Sequence, residues 1–149
     1  MLAGLVEGDA PGAWAIVEAA LAPATPARVY TEVLAPALSE LGDGWASGRL
    51  SVADEHRATA VALGIVGQMG PLFRRRGRRR PGQTLLAGVE GDAHTIPSTM
   101  VADTLTAGGF EVIHLGANLP TAELLAAAAS QPHLRAGAVE VVAALRACR

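Results

Sequence analysis

The chain has 149 residues, half of them hydrophobic, with 17% charged and 3% aromatic. An average soluble domain carries about 25% charged residues, so the apolar content here is mostly Ala, Val and Leu, which suits helices in one ordinary domain or two small ones. A net charge of −2 excludes a chain that binds polyanions along its whole length, although all twelve basic residues are Arg. No apolar run approaches the roughly 20 residues of a membrane span. Met1–Glu7 lacks the basic and then apolar pattern of a signal peptide. Cys148 is the single cysteine, so an internal disulfide or thiol cluster is excluded and a reducing cytoplasm is the expected setting.

The first half reads as helix. Pro11 opens a helix on which Trp14, Ile16, Val17, Ala20 and Leu21 recur at helical spacing, and Pro23 stops it. Thr25 is the expected N-cap of a second helix, with Pro26 at its first position. Val29, Val33, Leu34, Leu38, Leu41 and Trp45 carry that helix onward, with a kink expected at Pro36. Gly48 breaks the run, and Ser51-Val52-Ala53-Asp54 has the form of a capping box. The third helix then carries Val52, Ala60, Leu63, Val66 and Met69, and extends to Phe73.

Arg74 to Gly82 reads as a linker. It holds six arginines, leaving six against fourteen carboxylates elsewhere, a charge of −8. A run of like charges repels itself and favours a solvated linker over a folded surface. No aromatic residues interleave with it for base stacking, so nucleic acid is not expected as a direct partner.

Beyond the linker the period changes. Thr84–Val89 is short and apolar, as in a buried parallel strand. Pro97–Ala107 reads as a helix with Met100, Val101 and Leu105 inward, closed by Gly108-Gly109. Phe110–Leu115 is a second strand, Gly116-Ala117-Asn118 a turn, and Leu119–Ala129 a second helix. Ala136–Cys148 reads as a final helix, or Ala138–Val142 as a short strand. The expected fold class is therefore α/β: an N-terminal helical bundle over 1–73, the linker 74–82, and a partial doubly wound parallel unit over 83–149.

Two constellations carry candidate chemistry. Asp92-Ala93-His94 follows the first strand, and ligands of open α/β sheets bind at strand carboxyl ends. A neutral imidazole can ligate a metal through one nitrogen while a carboxylate holds the other, which fixes the tautomer and raises ligand basicity. The bland alternative is an incidental pair in a surface loop. Trp45, Glu55 and His56 flank one inter-helix turn and are placed to converge at one end of the helical layer. Their structural alternatives are a core aromatic, a carboxylate complementing a helix N-terminus and a solvated histidine.

The stretch Trp45-Ala46-Ser47-Gly48-Arg49-Leu50-Ser51-Val52-Ala53-Asp54-Glu55-His56 resembles the Trp…Gly…Glu-His signature of a helical cobalamin-binding cap. That cap occurs in CarH-type (MerR-family) light-sensing regulators and, more distantly, in methionine synthase. Gly91-Asp92-Ala93-His94, Val101–Leu105 and Leu115–Pro120 resemble the matching Rossmann-like (flavodoxin-like) cobalamin domain. The resemblance implies adenosylcobalamin or methylcobalamin as cofactor, with His94 as lower axial cobalt ligand in place of the cofactor's dimethylbenzimidazole. It implies that Asp92 polarises His94, that Gly116 belongs to the cofactor-contacting set, and that Trp45, Glu55 and His56 line the upper face of the corrin. It further implies a sensor or carrier module without its own catalytic site, working with a regulator or methyltransferase partner or by self-association. The alternatives are a corrinoid carrier subunit of a methyltransferase, or a nucleic-acid- or protein-interaction module with a degenerate cobalamin site.

Three departures stand out. The family's Gly after Asp-X-His-X-X is Pro97, and the His that follows the Trp in light sensors is Ala46. The Ser/Thr-rich loop and Gly-Gly turn that hold the nucleotide tail are not found between Ser130 and Arg149, so the C-terminal part reads as missing or divergent.

Overall fold

Nothing in the periodicity of Met1–Glu7 predicts an element, yet the chain opens with a short helix, α1 (Leu2–Glu7). Gly8 ends it in the left-handed conformation at φ 79°. The N–H groups of Gly8 and Asp9 return to the carbonyls of Leu5 and Gly4 at 3.2 and 2.8 Å. These bonds satisfy helix-end acceptors that have no intrahelical partner. The computed structural model describes residues 1–74, 82–131 and 134. They divide into an N-terminal helical unit, Met1–Leu72, and an α/β unit that begins at Phe73.

In the helical unit Asp9 caps α2 (Ala10–Leu21), its Oδ1 accepting the Gly12 N–H at 3.0 Å. Thr25 caps α3 (Pro26–Val29), its Oγ1 accepting the Arg28 N–H at 3.4 Å. The irregularity expected at Pro36 is a π-turn just before it, Tyr30–Leu34, which runs into α4 (Ala35–Ala46). A proline ring crowds the carbonyl four residues back and supplies no N–H. The chain widens ahead of it, the Ala35 N–H reaching the Tyr30 carbonyl. Pro36 then sits at the second position of α4, just past the widened turn.

The capping box is formed. Ser51 Oγ accepts the Asp54 N–H at 3.2 Å, and Asp54 Oδ2 accepts the Ser51 N–H at 3.0 Å. It opens α5 (Val52–Met69), which ends in a 3₁₀ turn, Gly70–Phe73, rather than running as helix to Phe73. Helices α1, α2 and α4 pack on α5. The core they share includes Leu5, Val17, Leu34, Leu41, Ala58, Ala62, Ile65 and Met69. Val52 and Leu63, predicted on the apolar stripe, lie on the other side of α5 at 58% and 43% exposure. Between Ala58 and Gly67 the one polar side chain is Thr59, so the period alone does not identify which face is buried.

The α/β unit contains two parallel strands, β1 (Gln83–Leu86) and β2 (Glu111–His114), each shorter than predicted. Gln83 lies opposite Glu111, and Leu86 opposite His114. Between them runs α6 (Thr95–Ala107), and α7 (Thr121–Ala129) follows β2. Leu85 and Ala87 pack with Leu124 of α7, supported by Ile113, Leu115 and Leu119. Leu86 and His114, alternating to the other face, meet α6 around Pro97 and Ser98. Helix α6 begins at Thr95 instead of Pro97, because His94 takes the N-cap position at φ −74°, ψ 93°. Its buried residues are Ile96 and Ala102, and Met100, Val101 and Leu105 are only half-buried. The strand–helix–strand–helix order of the α/β expectation is thus present. Residues 75–81 of the arginine run and the element expected within 136–148 lie outside the described residues.

Replacing Ser51 with Ala removes the N-cap acceptor of α5. It is expected to destabilise the helical unit by about 1 kcal/mol, read as a lower urea midpoint of the helical circular dichroism signal.

Candidate functional site

The carboxyl ends of β1 and β2 are stitched together. The Leu115 N–H donates to Leu86 O at 2.8 Å, Gly88 N–H to Gly116 O at 2.8 Å, and Leu119 N–H to Gly88 O at 3.1 Å. A Cβ at Gly88 would stand 3.0 Å from the Ala117 Cα. Backbone against backbone therefore leaves room for glycine there. Gly116 lies at φ 81°, with open space around the position a Cβ would take.

This scaffold presents the Asp92-X-His94 loop. Asp92 Oδ1 accepts the His94 backbone N–H at 2.9 Å and meets His94 Nδ1 at 2.6 Å. The backbone N–H, and next the ring, hold the Asp92 carboxyl below its ordinary 3.8. An ionised Asp92 accepts the Nδ1–H, which assigns the lone pair to Nε2. The contacts of His94 run through its backbone N–H and Nδ1, and the side chain is 73% exposed. His94, Asp92, Leu86, Ala87, Gly88, Pro97 and Ser98 line one crevice at the end of β1. Pro97 is the third residue of α6, a position whose N–H has no intrahelical partner, so the helix start accommodates it.

The donor set limits what could bind. Among the described residues, no three His, Cys, Asp or Glu side chains gather as a metal site. One outward imidazole backed by a carboxylate is too little for a bare cation. It fits a metal that arrives with its own equatorial ligands and needs one axial base.

Behind the crevice lies a second polar pair. Ser98 Oγ donates to Thr95 O at 2.9 Å, so at 3.1 Å from His114 Nε2 it accepts, and Nε2 carries the hydrogen. Burial, partly offset by Asp103, pushes the His114 ring below its ordinary 6.5. Neither this pair nor the partners of Asn118 are signalled in the sequence, because each joins residues far apart along the chain.

In the helical unit, Gly44 gives way to Leu50. A Cβ on Gly44 would meet Leu50 Cδ1 at 2.7 Å, and the Arg49 and Leu50 N–H groups both return to Gly44 O, at 2.9 and 3.1 Å. The tight turn that results, with Gly48 at φ 73°, has Trp45 on one side and Glu55-His56 on the other. Trp45 is not a core aromatic, being 51% exposed. Glu55 Oε2 contacts His56 Nδ1 at 2.8 Å, and its Oε1 accepts from Thr59 Oγ1 at 2.7 Å. His56 is exposed. Val52, Ala60, Leu63, Gly64 and Gly67 continue the exposed side of α5. A crevice of this unit, about 280 Å³ between Ala20 and Val33, holds none of these residues. Its charged pair, Arg28 and Glu32, is joined within itself at 2.8 Å.

Residues 1–68 match the model of the family described as B12 binding domain. The chain is 32% identical over 130 residues to the HTH-type transcriptional repressor CarH of Myxococcus xanthus, covering 83% of this chain and 40% of that protein. It is 26% identical over 122 residues to methionine synthase of Mycobacterium tuberculosis (strain ATCC 25618 / H37Rv), covering 81% of this chain and 10% of that protein. It therefore spans less than half of either curated relative. Among solved structures, a cobalamin-binding protein from Desulfitobacterium hafniense DCB-2 aligns at TM-score 0.42 and 22% identity, over 86% of this chain and 60% of that one. The methanol:cobalamin methyltransferase complex MtaBC from Methanosarcina barkeri aligns at TM-score 0.44 and 21% identity, over 87% and 50%. Among the described residues, no helix is long and apolar enough to cross a membrane.

The His114 environment has a pH signature. With the folded pKa below the unfolded one, the unfolded chain binds more protons, so stability falls as pH drops below about 6.5. His114 is expected to titrate below 6.5 by histidine NMR, and His114→Asn to flatten the acid side of the stability profile of the α/β unit.

Proposed function

We propose that this chain is a cobalamin-binding module in which His94 is the lower axial ligand of the cobalt, in place of the cofactor's own base. The observation that carries this is the Asp92–His94 bond at 2.6 Å. It leaves one outward imidazole nitrogen at the carboxyl end of a parallel strand, in a chain whose first 68 residues match a B12 binding domain. When bound, the corrinoid supplies a cobalt centre whose upper axial bond can be made and broken.

The chain's own residues then have distinct tasks. Asp92 holds the Nδ1–H and so keeps Nε2 basic and aimed outward. The open face of Gly116 lets ligand approach the backbone closely. Trp45, Glu55 and His56 would contact the bound corrinoid, the indole excluding water and the Glu55–His56 pair supplying a polar contact. Residues 1–73 act as the helical cap, 74–82 as linker and 83–149 as the α/β part. Ala46 offers no ligating atom beside Trp45, so an upper histidine ligand is not available at that position. Without a substrate site of its own, the module acts as sensor or carrier, in a reducing cytoplasm. A regulator, a methyltransferase or a second copy of the chain uses the bound state.

The test is to add hydroxocobalamin to the purified full chain in the dark and follow the visible spectrum. The wild type is expected to bind and to show a ligand-exchange shift. His94→Ala is expected to lose that shift, and Asp92→Asn to weaken binding by about 10–100-fold. Equal affinity and an identical spectrum for His94→Ala would exclude axial ligation by His94.

A further inference from the structure

We propose that Asn118, in the loop after β2, is a positioning residue for the Asp92–His94 pair; this rests on the reading of His94 as axial ligand. Its Oδ1 accepts the Gly91 N–H at 2.8 Å across the gap between the two loops. Gly91 immediately precedes Asp92 and lies at φ 86°. The Asp92 N–H in turn closes a tight turn onto Val89 O at 3.0 Å. The orientation of the Asp92 carboxylate therefore depends on where the Gly91 amide is held. The backbone bonds that stitch the loops end at Gly88. Beyond it, the Glu90 carboxylate reaches the Thr121 N–H only at 3.4 Å, so the short link to the 91–94 segment is the Asn118 amide.

The local backbone explains why this residue is Asn. Position 118 lies at φ 54°, the one non-glycine residue with positive φ among the described residues. Asn tolerates that region better than most residues. Glycine would take the same backbone but offer no acceptor. The close approach of Gly88 to the Ala117 Cα fixes the loop separation at a distance a short amide spans. Asn118 thus transmits the geometry of the β2 loop to the ligating histidine without touching it.

Two variants separate acceptor from backbone. Asn118→Gly keeps the left-handed conformation and deletes the carbonyl, whereas Asn118→Asp keeps an acceptor oxygen and tolerates the same φ. In the full chain without cofactor, amide hydrogen exchange is read by NMR at Gly91 and His94, with helical circular dichroism as a check on folding. Asn118→Gly is expected to speed exchange at both by roughly fivefold, the scale of one net hydrogen bond, and Asn118→Asp to restore it. Acceleration at Gly91 alone, or at neither, would overturn the proposal. In hydroxocobalamin titrations Asn118→Gly is expected to weaken binding to a similar degree, with rescue by Asn118→Asp. Undiminished binding by Asn118→Gly would also overturn it. A wild-type chain that takes up no hydroxocobalamin would instead sink the cofactor reading, and the exchange data alone would then decide whether Asn118 orders the pair.

Discussion

The Asp92–His94 hydrogen bond is the interaction on which the site depends. An exposed imidazole on a loop is a poor ligand unless its ring is oriented and its tautomer fixed. One carboxylate oxygen does both here, since it binds the backbone N–H of His94 as well as the ring. That double contact requires the chain to reverse within the loop, with Gly91 at positive φ. The reversal is held in place from the β2 side. The parallel strand pair acts mainly as an anchor for this arrangement, bringing the ends of β1 and β2 close enough for their loops to bond to each other.

The helical unit meets a different constraint. Its core is built on one side of α5, where small residues such as Ala58 and Ala62 let α1, α2 and α4 approach closely. The opposite side keeps Val52, Leu63 and two glycines in the open, with Trp45 half-exposed beside the turn that leads into the helix. Leaving several large apolar side chains exposed together costs solubility and gains nothing for folding. On the proposed reading, a broad, partly apolar corrinoid covers that face. The tight Gly44–Leu50 corner sets Trp45 and the Glu55–His56 pair on either side of one turn.

Much of this was legible in the sequence where the signal is local. Thr25, the Ser51–Asp54 box and the Asp92-X-His94 spacing each involve groups within a few residues, and each forms as local chemistry dictates. The short helix α1 was not legible, because six residues carry too little propensity to be read alone and depend on packing, with Leu5 fully buried. Pro36 signalled an irregularity but not its form, since widening the turn ahead of the proline satisfies the same steric demand as bending. The apolar residues of α5 predicted a helix, but with Thr59 the one polar side chain between Ala58 and Gly67 the buried face was set by tertiary packing. Gly116-Ala117-Asn118 read only as a turn. The bond from Asn118 to Gly91 spans 27 residues, and no local pattern encodes it.

The central claim, that a histidine of this chain supplies the axial nitrogen, is tested most directly by electron paramagnetic resonance of the cob(II)alamin form bound to protein carrying ¹⁵N-labelled histidine. A single axial nitrogen splits the cobalt lines into triplets when it is ¹⁴N and into doublets when it is ¹⁵N. The account predicts doublets in the labelled wild type and their loss in His94→Ala. Triplets that persist in the labelled protein would mean that the cofactor keeps its own base, and would contradict it.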